Sequence, residues 1–377
     1  MGLILTRSPH FITGRGLDEG ALLTLDIGYY NISGDYVVIK SYDFTINSTY
    51  GIDVSPFVSD YIKDNIKVLI VKTTVFGDIN GVTQSPIVDE YVATEGYGYY
   101  EDGYNYDATS LLESRSFYAG SNRDIQVYSD GICNIPLLLP SDLDGTVTIR
   151  YKKGNDIVGF ETVVLGAIYD EDTFLDTGFG SILTDGFGSE ISVGDYTIGK
   201  NKYTQTRFIS VTKDLVNLEI DSIDLASSYT TYSLNVEYIS ECKYEPNKVK
   251  FINKYGVLED LWFFKKSKES ISTEKTQFNQ FILDSYIYGV KSNHSFKNFN
   301  VNGKEKVTMN TGFVPDSFSE NFRQLMLSEY VYVESGNDLL PLNITDSSLE
   351  YKKHINNKLI NYTVQFEYAY NKINNIV

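Results

Sequence analysis

The sequence predicts a mainly β protein with two or three β-sandwich-like domains and one capped helix packed in the C-terminal domain. Three observations lead to this prediction. The chain has 377 residues, more than one hydrophobic core usually serves, so several domains are expected. Its 31 Tyr and 21 Phe are residue types that favour strands. Its 29 Gly, against only 8 Pro, lie mostly between short runs of alternating apolar and polar residues, as turns between strands do.

These runs divide the chain into predicted domains. Residues 1–166 are predicted to form an N-terminal β-sandwich, and residues 167–202 an acidic, Gly-rich linker or projecting hairpin. Residues 203–377 are predicted to form a C-terminal β domain, which can be divided further into 203–241 and 242–377.

Individual elements follow from local patterns. A short helix is predicted where Ser55 can act as N-cap and Pro56 suits the first helical position. The strongest helix signal has Ser317 as N-cap, Glu320 as its capping-box partner, and apolar residues at helical spacing after them. Strands are predicted at residues 22–29, 66–76, 126–128, 146–151, 160–165, 282–291, 295–301, 304–309, 330–334, 339–344, 346–352 and 362–370, and a further strand is predicted to begin at residues 36–39. Alternation is also found at residues 203–238, before the next hairpin.

The stretch Cys242–Ser267 is predicted to be a central β-hairpin that organises the second half of the chain. Two alternating apolar runs flank the Gly-containing turn Asn253–Gly256. The run Leu261–Phe264 is apolar on both faces, so we expect its own domain to cover one face and another domain or subunit to cover the other. The predicted interface residues of this hairpin are Trp262, Phe263 and Phe264.

The segment Tyr91–Asp107, here called the Tyr-rich loop, repeats Tyr among Gly and acidic residues. One interpretation is an aromatic contact loop that docks a neighbouring subunit or a sugar, because Tyr offers a large amphipathic surface at low entropy cost. The other is a solvated insertion that packs its own tyrosines. The sequence leaves both open, and the first makes interface residues of Tyr97, Tyr99, Tyr100 and Tyr104.

The acidic linker contains two similar repeats, Thr177–Ser181 and Asp185–Ser189, whose Phe179 and Phe187 are further predicted interface residues. The glycine spacing resembles that of phosphate-binding loops, but no Lys-Ser or Lys-Thr follows it. The acids at 170–172 and 176 could hold calcium, yet their spacing departs from the EF-hand pattern and runs of carboxylates are usually solvated. We therefore predict no metal site and no cofactor.

The charge balance excludes several classes of partner. A formal net charge of -18 and a pI near 4.6 argue against a specific nucleic-acid-binding surface, which needs clustered Lys and Arg. No apolar run approaches the length of a membrane-spanning helix, so no membrane insertion is predicted. Cys133 and Cys242 are the only cysteines, and they are predicted to be buried free thiols of a reducing compartment.

A search for catalytic residues finds no convincing site. His10, His294 and His354 are scattered, and none lies at metal-ligand spacing from another ligand. The chain contains no nucleophile elbow, zinc-protease helix or phosphate loop. The prediction is that the protein is not an enzyme, while a depolymerase-like enzyme would need two carboxylates held across an acidic cleft.

Four stretches of the chain carry a resemblance to a known class. They are Leu5–Ile12, Ile52–Ile62, Tyr244–Lys266 and Leu339–Tyr370, and together they resemble tail structural proteins of tailed phages that infect Bacteroidota, including crAss-like phages. The Gly-Phe-Gly repeats and the Tyr-rich loop do not belong to the resemblance. It implies a virion component in a tail ring, hub or baseplate-like assembly, located in the tail and assembled in the host cytoplasm.

The implied partners are copies of the same chain in a ring, around the path by which the genome leaves, and other tail proteins. In such a ring the subunit interfaces would be heterologous, and the excess carboxylates would repel phosphate so that DNA passing nearby slides. The alternative is a receptor-binding or carbohydrate-binding virion protein that uses the Tyr-rich loop.

Overall fold

A computed structural model describes residues 2–14, 16–30, 35–46, 51–63, 69–128, 135–138, 145–165, 220–239, 241, 243–279, 296–336, 338–346 and 359–373. The fold is mainly β, as predicted, with few helices. Several predictions fall outside the described residues: the linker 167–202 with Phe179 and Phe187, the strand 282–291, nearly all of the strand 346–352, and the two cysteines.

The elements are numbered in chain order. The strands are β1 (Gly2–Leu5), β2 (Phe11–Ile12), β3 (Ala21–Tyr30), β4 (Tyr36–Ile46), β5 (Ile52–Asp53), β6 (Leu69–Phe76), β7 (Asp78–Ile79), β8 (Val82–Thr83), β9 (Ile87–Thr94), β10 (Asp124–Tyr128), β11 (Gly145–Lys153), β12 (Asp156–Leu165), β13 (Ser222–Ala226), β14 (Thr231–Ile239), β15 (Asn247–Ile252), β16 (Leu258–Phe263), β17 (Lys268–Asn279), β18 (Phe296–Pro315), β19 (Val331–Ser335), β20 (Asp338–Ile344) and β21 (Leu359–Tyr368). The helices are α1 (Ser55–Lys63), α2 (Thr109–Ser114) and α3 (Ser319–Leu327), with 3-10 turns at Tyr100–Asp102 and Asp316–Phe318.

The first sheet has the strand order β1-β9-β6-β3-β4 and packs against apolar residues on both faces. One face, with Leu23, Leu25 and Val71, packs against α1 through Val58 and Ile62. The opposite face presents residues of β1, β6 and β9 to a second hydrophobic cluster, which residues of α2 and of the central hairpin complete. All four residues of β1 are buried, because β1 is covered from both sides.

The middle sheet has the order β10-β14-β13-β11-β12 and joins strands from both sides of the predicted domain boundary at residue 166. β11 pairs antiparallel with β13, and β10 pairs in parallel with β14, so that Asp124 lies opposite Asn235. A parallel pair between distant segments leaves no local turn signal in the sequence. The sheets therefore divide the described chain differently from the predicted boundaries.

The third sheet has the order β16-β15-β19-β20-β21-β18-β17. The predicted hairpin is present as β15 and β16, with Asn247 paired to Phe263 and Ile252 paired to Leu258. Helix α3 covers one face of this sheet through Phe322 and Leu325, whose side chains are fully buried.

The helices differ from prediction in their starts. The C-terminal helix α3 begins at Ser319, after the 3-10 turn, and makes no side-chain cap hydrogen bond. The predicted capping box is absent because its two members bind elsewhere: the Ser317 hydroxyl donates to Asp124, and the Glu320 carboxylate accepts from Tyr99. The first helix is present but begins at Ser55, the residue predicted as its N-cap, and the Ser55 hydroxyl donates to the Ser8 carbonyl.

Candidate functional site

The turn of the central hairpin has a tight internal geometry. The Asn253 and Val257 backbones are joined by a 2.9 Å hydrogen bond, and the Gly256 N–H donates to the Asn253 carbonyl at 2.9 Å. The Asn253 side-chain oxygen accepts from the N–H of Tyr255 at 3.0 Å. Gly256 has φ of +75°, a conformation that favours glycine. The sequence signal Asn-Lys-Tyr-Gly thus encodes a fixed loop that projects from β15 and β16.

This turn meets two other parts of the chain. The Lys254 carbonyl accepts a 2.8 Å hydrogen bond from the backbone N–H of Tyr97, in the Tyr-rich loop. The Lys254 N–H donates to Gln324 Oε1 on α3 at 2.9 Å. The side chains of Tyr255 and Val257 are buried in the cluster below the first sheet. The turn therefore lies between the first sheet, the Tyr-rich loop and the C-terminal helix.

Two glycines allow this close approach. A Cβ at Gly256 would lie 2.8 Å from the backbone nitrogens of Glu95 and Gly96. A Cβ at Gly96 would lie 2.5 Å from the Lys254 carbonyl oxygen. Because the neighbouring atoms are backbone, neither contact can be relieved by moving a flexible side chain. The turn and the end of β9 are therefore packed backbone against backbone.

The region where the hairpin turn meets the first sheet, the Tyr-rich loop and α3 is here called the junction. Glu259, on β16 beside the turn, is a fully buried carboxylate of this junction. Its oxygens accept hydrogen bonds from the Ser121 N–H at 3.1 Å and hydroxyl at 2.6 Å, from Asn253 Nδ2 at 2.8 Å and from Asn321 Nδ2 at 2.9 Å. Burial raises the pKa of Glu259, and the hydrogen bonds from Ser121 and Asn253 oppose that rise. This carboxylate joins the segment after α2, the hairpin turn and α3.

The Lys254 ammonium is held by the Tyr-rich loop. Its Nζ lies 2.7 Å from an Asp102 carboxylate oxygen, 4.4 Å from the centre of the Tyr99 ring and 4.6 Å from that of Tyr106. Burial opposes ionisation of Asp102, but the hydrogen bonds from Lys254 and from the N–H of Tyr99 together lower the Asp102 pKa. A cation between two ring faces and a carboxylate is well suited to fix the loop in one position.

The other side of Tyr99 contacts α3. The Tyr99 hydroxyl donates to Glu320 Oε1 at 2.5 Å, and the Arg323 guanidinium lies 3.7 Å from the ring centre. Burial and the hydrogen bond to Glu320 raise the pKa of Tyr99. Next to it, the Arg7 guanidinium covers the Tyr97 ring at 5.0 Å and donates to the last carbonyl of α3. The N-terminus, the loop and α3 are thus linked by charged and aromatic contacts.

The predicted interface tyrosines are separated by this packing. Tyr97 is buried and Tyr99 is half-buried, so both are used inside the chain. Tyr100 is 99% exposed and Tyr104 is 73% exposed, with the Tyr104 ring in edge contact with Phe11. Tyr97 and Tyr99, here called the inner pair, are packed inside the chain, as the second interpretation of the loop expects of its tyrosines. Of these four rings, only those of Tyr100 and Tyr104, here called the outer pair, are available to a partner.

The predicted interface residues of the hairpin lie inside the chain. Trp262, Phe263 and Phe264 all belong to the core of the third sheet and are buried. The Trp262 ring centre lies 5.8 Å from that of Tyr128, on the middle sheet. The expected second cover of this strand is therefore another part of the same chain. Contact with a further subunit through these three side chains would require that cover to open.

The sequence did not predict β17, the edge strand of the third sheet. All twelve residues of β17 are exposed, and the part of β18 from Phe296 to Glu305 pairs with β17 alone among the described strands. We call Ile271–Asn279 and Phe296–Glu305 the arm. Large apolar side chains on the arm are exposed, among them Ile271, Phe278, Phe296 and Phe299. A polar sequence without alternation gave no signal for β17, whereas its neighbour β18 was partly predicted.

Metal ligands and histidines are the catalytic candidates that can be located among the described residues. Within them, no group of three or more His, Cys, Asp or Glu side chains is placed to hold a metal ion. His10 is buried, and that burial lowers its pKa. His294 and His354 lie outside the described residues. No helix in the described part of the chain is both long and apolar enough to span a membrane.

No family model, no curated protein and no solved structure matches this chain.

Proposed function

We propose that this chain is a structural protein of a phage tail, which forms a ring- or hub-type oligomer around the genome exit path through contacts between proteins. The observation that carries the proposal is the arm, a long two-stranded ribbon exposed along β17. An isolated two-stranded ribbon is only marginally stable in water, and exposed aromatic side chains favour a covering surface. A partner protein would supply both the pairing and the cover.

The rest of the molecule fits a role of contact better than one of chemistry. The buried junction around Glu259 uses its polar groups to bind segments of the same chain to one another. The arm therefore extends from a part of the chain whose segments are held together by these hydrogen bonds. The resemblance of four stretches to phage tail proteins supports copies of this chain and other tail proteins as its partners.

The net charge of -18 supports a place beside the DNA path more than a DNA-binding role. Carboxylates repel phosphate, so a ring with an acidic inner wall lets the duplex pass without sticking. A neutral or basic inner wall in the assembled particle would contradict this part of the proposal.

The experiment is electron cryo-microscopy of phage particles whose proteome contains this chain. We expect density for several symmetry-related copies in the tail. A variant in which residues 274–302 are replaced by an Asn-Gly turn, joining Thr273 to Gly303, tests the arm. We expect this variant to keep the Trp262 fluorescence and the cooperative unfolding of the parent and to lose incorporation into particles. Normal incorporation of the shortened variant, or absence of the chain from the tail, would contradict the proposal.

The second candidate is a receptor-binding or carbohydrate-binding virion protein. The observation in its favour is the outer pair of the Tyr-rich loop, since Tyr100 and Tyr104 expose nearly all and about three quarters of their side chains. Exposed aromatic rings stack on sugar faces, and Tyr adds a hydroxyl for hydrogen bonds. The inner pair is not available in the same way, because Arg7 covers Tyr97 and Arg323 covers Tyr99.

A glycan array distinguishes the two candidates. The informative variant is Tyr100→Ala with Tyr104→Ala, which leaves the inner pair and its contacts intact. The matched control is Phe160→Ala, because Phe160 is 73% exposed, as Tyr104 is, and lies on the middle sheet. Binding that the double variant loses and the control keeps would support the carbohydrate role. No binding by the parent protein would count against it.

A further inference from the structure

β17 is an open edge of the third sheet with an unusual arrangement of charges. Among the strands that the structure describes, only β18 pairs with it, so its other side presents backbone groups that no described strand occupies. Edge strands usually carry charges that prevent pairing with another chain. On β17 the charges are Lys268, Glu269, Glu274 and Lys275, all exposed and without an ion pair among the described residues.

The two ends of this pattern are complementary to each other in an antiparallel arrangement. Along β17 the charges run positive, negative, negative, positive. Lys268 and Glu274 are six positions apart, and so are Glu269 and Lys275. Two copies of β17 that run in opposite directions could therefore face opposite charges at both ends. They could also face like charges, if Lys268 met Lys275 of the other copy. The backbone decides between these registers.

In a regular strand, alternate residues direct both backbone N–H and C=O to the same side. Two residues that pair across an antiparallel ladder must both direct these groups toward the partner or both away from it. In two identical strands, the paired residues must then both be even-numbered or both odd-numbered. The extra residue in the register shift near Glu274 lies in β18, so β17 itself stays regular.

This rule excludes the like-charge register, because Lys268 and Lys275 differ in parity, as do Glu269 and Glu274. Two registers remain that use the charges. One pairs Lys268 with Glu274 of the other copy and centres on Ile271. The other pairs Glu269 with Lys275 and centres on Ser272. In either register, the two residues of the other charge pair lie diagonally across the ladder from each other and not directly opposite.

The first register is favoured by the side chain at its centre. Ile271 is 57% exposed, and a two-fold axis through it places two Ile side chains opposite each other. Directly opposed Cβ atoms lie about 4.5–5.5 Å apart, so the two side chains cover each other. A Ser272 pair at the centre would bury no apolar surface and would leave Ile271 opposite Thr273.

We propose that two copies of this chain associate through β17, antiparallel across a two-fold axis at Ile271, with Lys268 of each copy opposite Glu274 of the other. The contact joins two seven-stranded sheets into one continuous sheet. It rests on the proposed structural role and deepens it by naming the partner as a second copy and the contact as an edge strand. Such a contact is isologous, whereas ring contacts are heterologous. It therefore joins copies of opposite direction and is additional to any ring interface.

Sedimentation velocity of the full chain tests the charges. We expect a dimer whose Kd rises about tenfold or more in Glu274→Lys and in Lys268→Glu, because each places two like-charge pairs across the axis. The double variant Lys268→Glu with Glu274→Lys restores opposite charges and is expected to recover the parent Kd. A monomeric parent, or a double variant as weak as the single ones, would overturn the proposal.

Cysteine cross-linking tests the register. The Ile271→Cys variant is expected to form an intermolecular disulfide under mild oxidation, and the parent chain, with only its native thiols, is the control. A faster cross-link in Ser272→Cys than in Ile271→Cys would overturn the proposed register. The charge and cysteine variants leave most of the arm unchanged. If the chain does not form the β17 dimer but is still incorporated normally into tails, the proposed pairing is refuted and the proposed function is not.

Discussion

At the scale of single residues, the junction depends on one carboxylate. Glu259 is fully buried and receives hydrogen bonds from Ser121, Asn253 and Asn321. Two of these partners lie 138 and 62 residues away along the chain, so no local motif could identify this Glu among the other acids of the sequence. Its role became visible only when the fold brought these three residues together.

Removing this carboxylate should be costly. In Glu259→Ala, the donors of Ser121, Asn253 and Asn321 lose their acceptor, and each buried donor left unsatisfied, as those of Asn253 and Asn321 would be, costs about 1–3 kcal/mol. We expect the free energy of unfolding to fall by about 3 kcal/mol or more in urea titrations. The matched control is Glu245→Ala, an exposed acid expected to change it by less than about 0.5 kcal/mol. Equal effects of the two variants would contradict the assigned role.

The same residue predicts a pH dependence. Because burial raises the pKa of Glu259, the folded state binds a proton more tightly than the unfolded state does. Its contribution to stability is therefore fully present below the unfolded pKa and is lost as pH rises through the folded pKa. We expect Glu259→Gln, which cannot titrate, to show a shallower fall of stability across this window in unfolding measured at several pH values. Identical slopes for parent and variant would count against a raised pKa.

At the scale of elements, the hairpin turn was predictable and its environment was not. The turn Asn253–Gly256 followed from a Gly between two alternating runs, and β15 and β16 formed where expected. By contrast, β17 has no buried apolar face, so the alternation that identifies half-buried strands could not reveal it. The start of α3 was mispredicted because Ser317 and Glu320 bind Asp124 and Tyr99 instead of capping the helix.

The close packing of the hairpin turn predicts that a substitution at Gly256 lowers stability. Gly256→Ala places a methyl group 2.8 Å from backbone nitrogens of Glu95 and Gly96, in addition to the strain of a positive φ. The matched control is Gly81→Ala, since Gly81 has φ of +74° and, apart from its two neighbours in the chain, no described residue has an atom within 4 Å of the position that an added methyl group would take. We expect the control to cost about 1 kcal/mol and Gly256→Ala to cost at least about 2 kcal/mol more. Equal melting temperatures would mean that the turn is not packed against β9.

At the scale of the whole molecule, the fold class was predictable and the division into domains was not. Tyr, Phe and Gly patterns are local and sufficed for a mainly β fold. The parallel pairs β1-β9 and β10-β14 join segments that are distant in sequence, and nothing local marks them. The exposure of Tyr100 and the partial burial of Tyr99, neighbours in one loop, likewise depend on where α3 lies.

The junction predicts how the described parts unfold. The hairpin turn is packed into the cluster of the first sheet, and Glu259 ties β16 to α3 and to Ser121, so loss of one part removes buried contacts from the others. Trp262 is the only Trp and lies near Tyr128, so its fluorescence reports on the contact between the middle and third sheets. We expect the fluorescence and far-ultraviolet circular dichroism transitions in urea to have the same midpoint, as a cooperative unit requires. In Gly256→Ala, both midpoints should shift together. A fluorescence transition that precedes the circular dichroism transition would mean that the sheets separate before they unfold, and that the turn does not couple them.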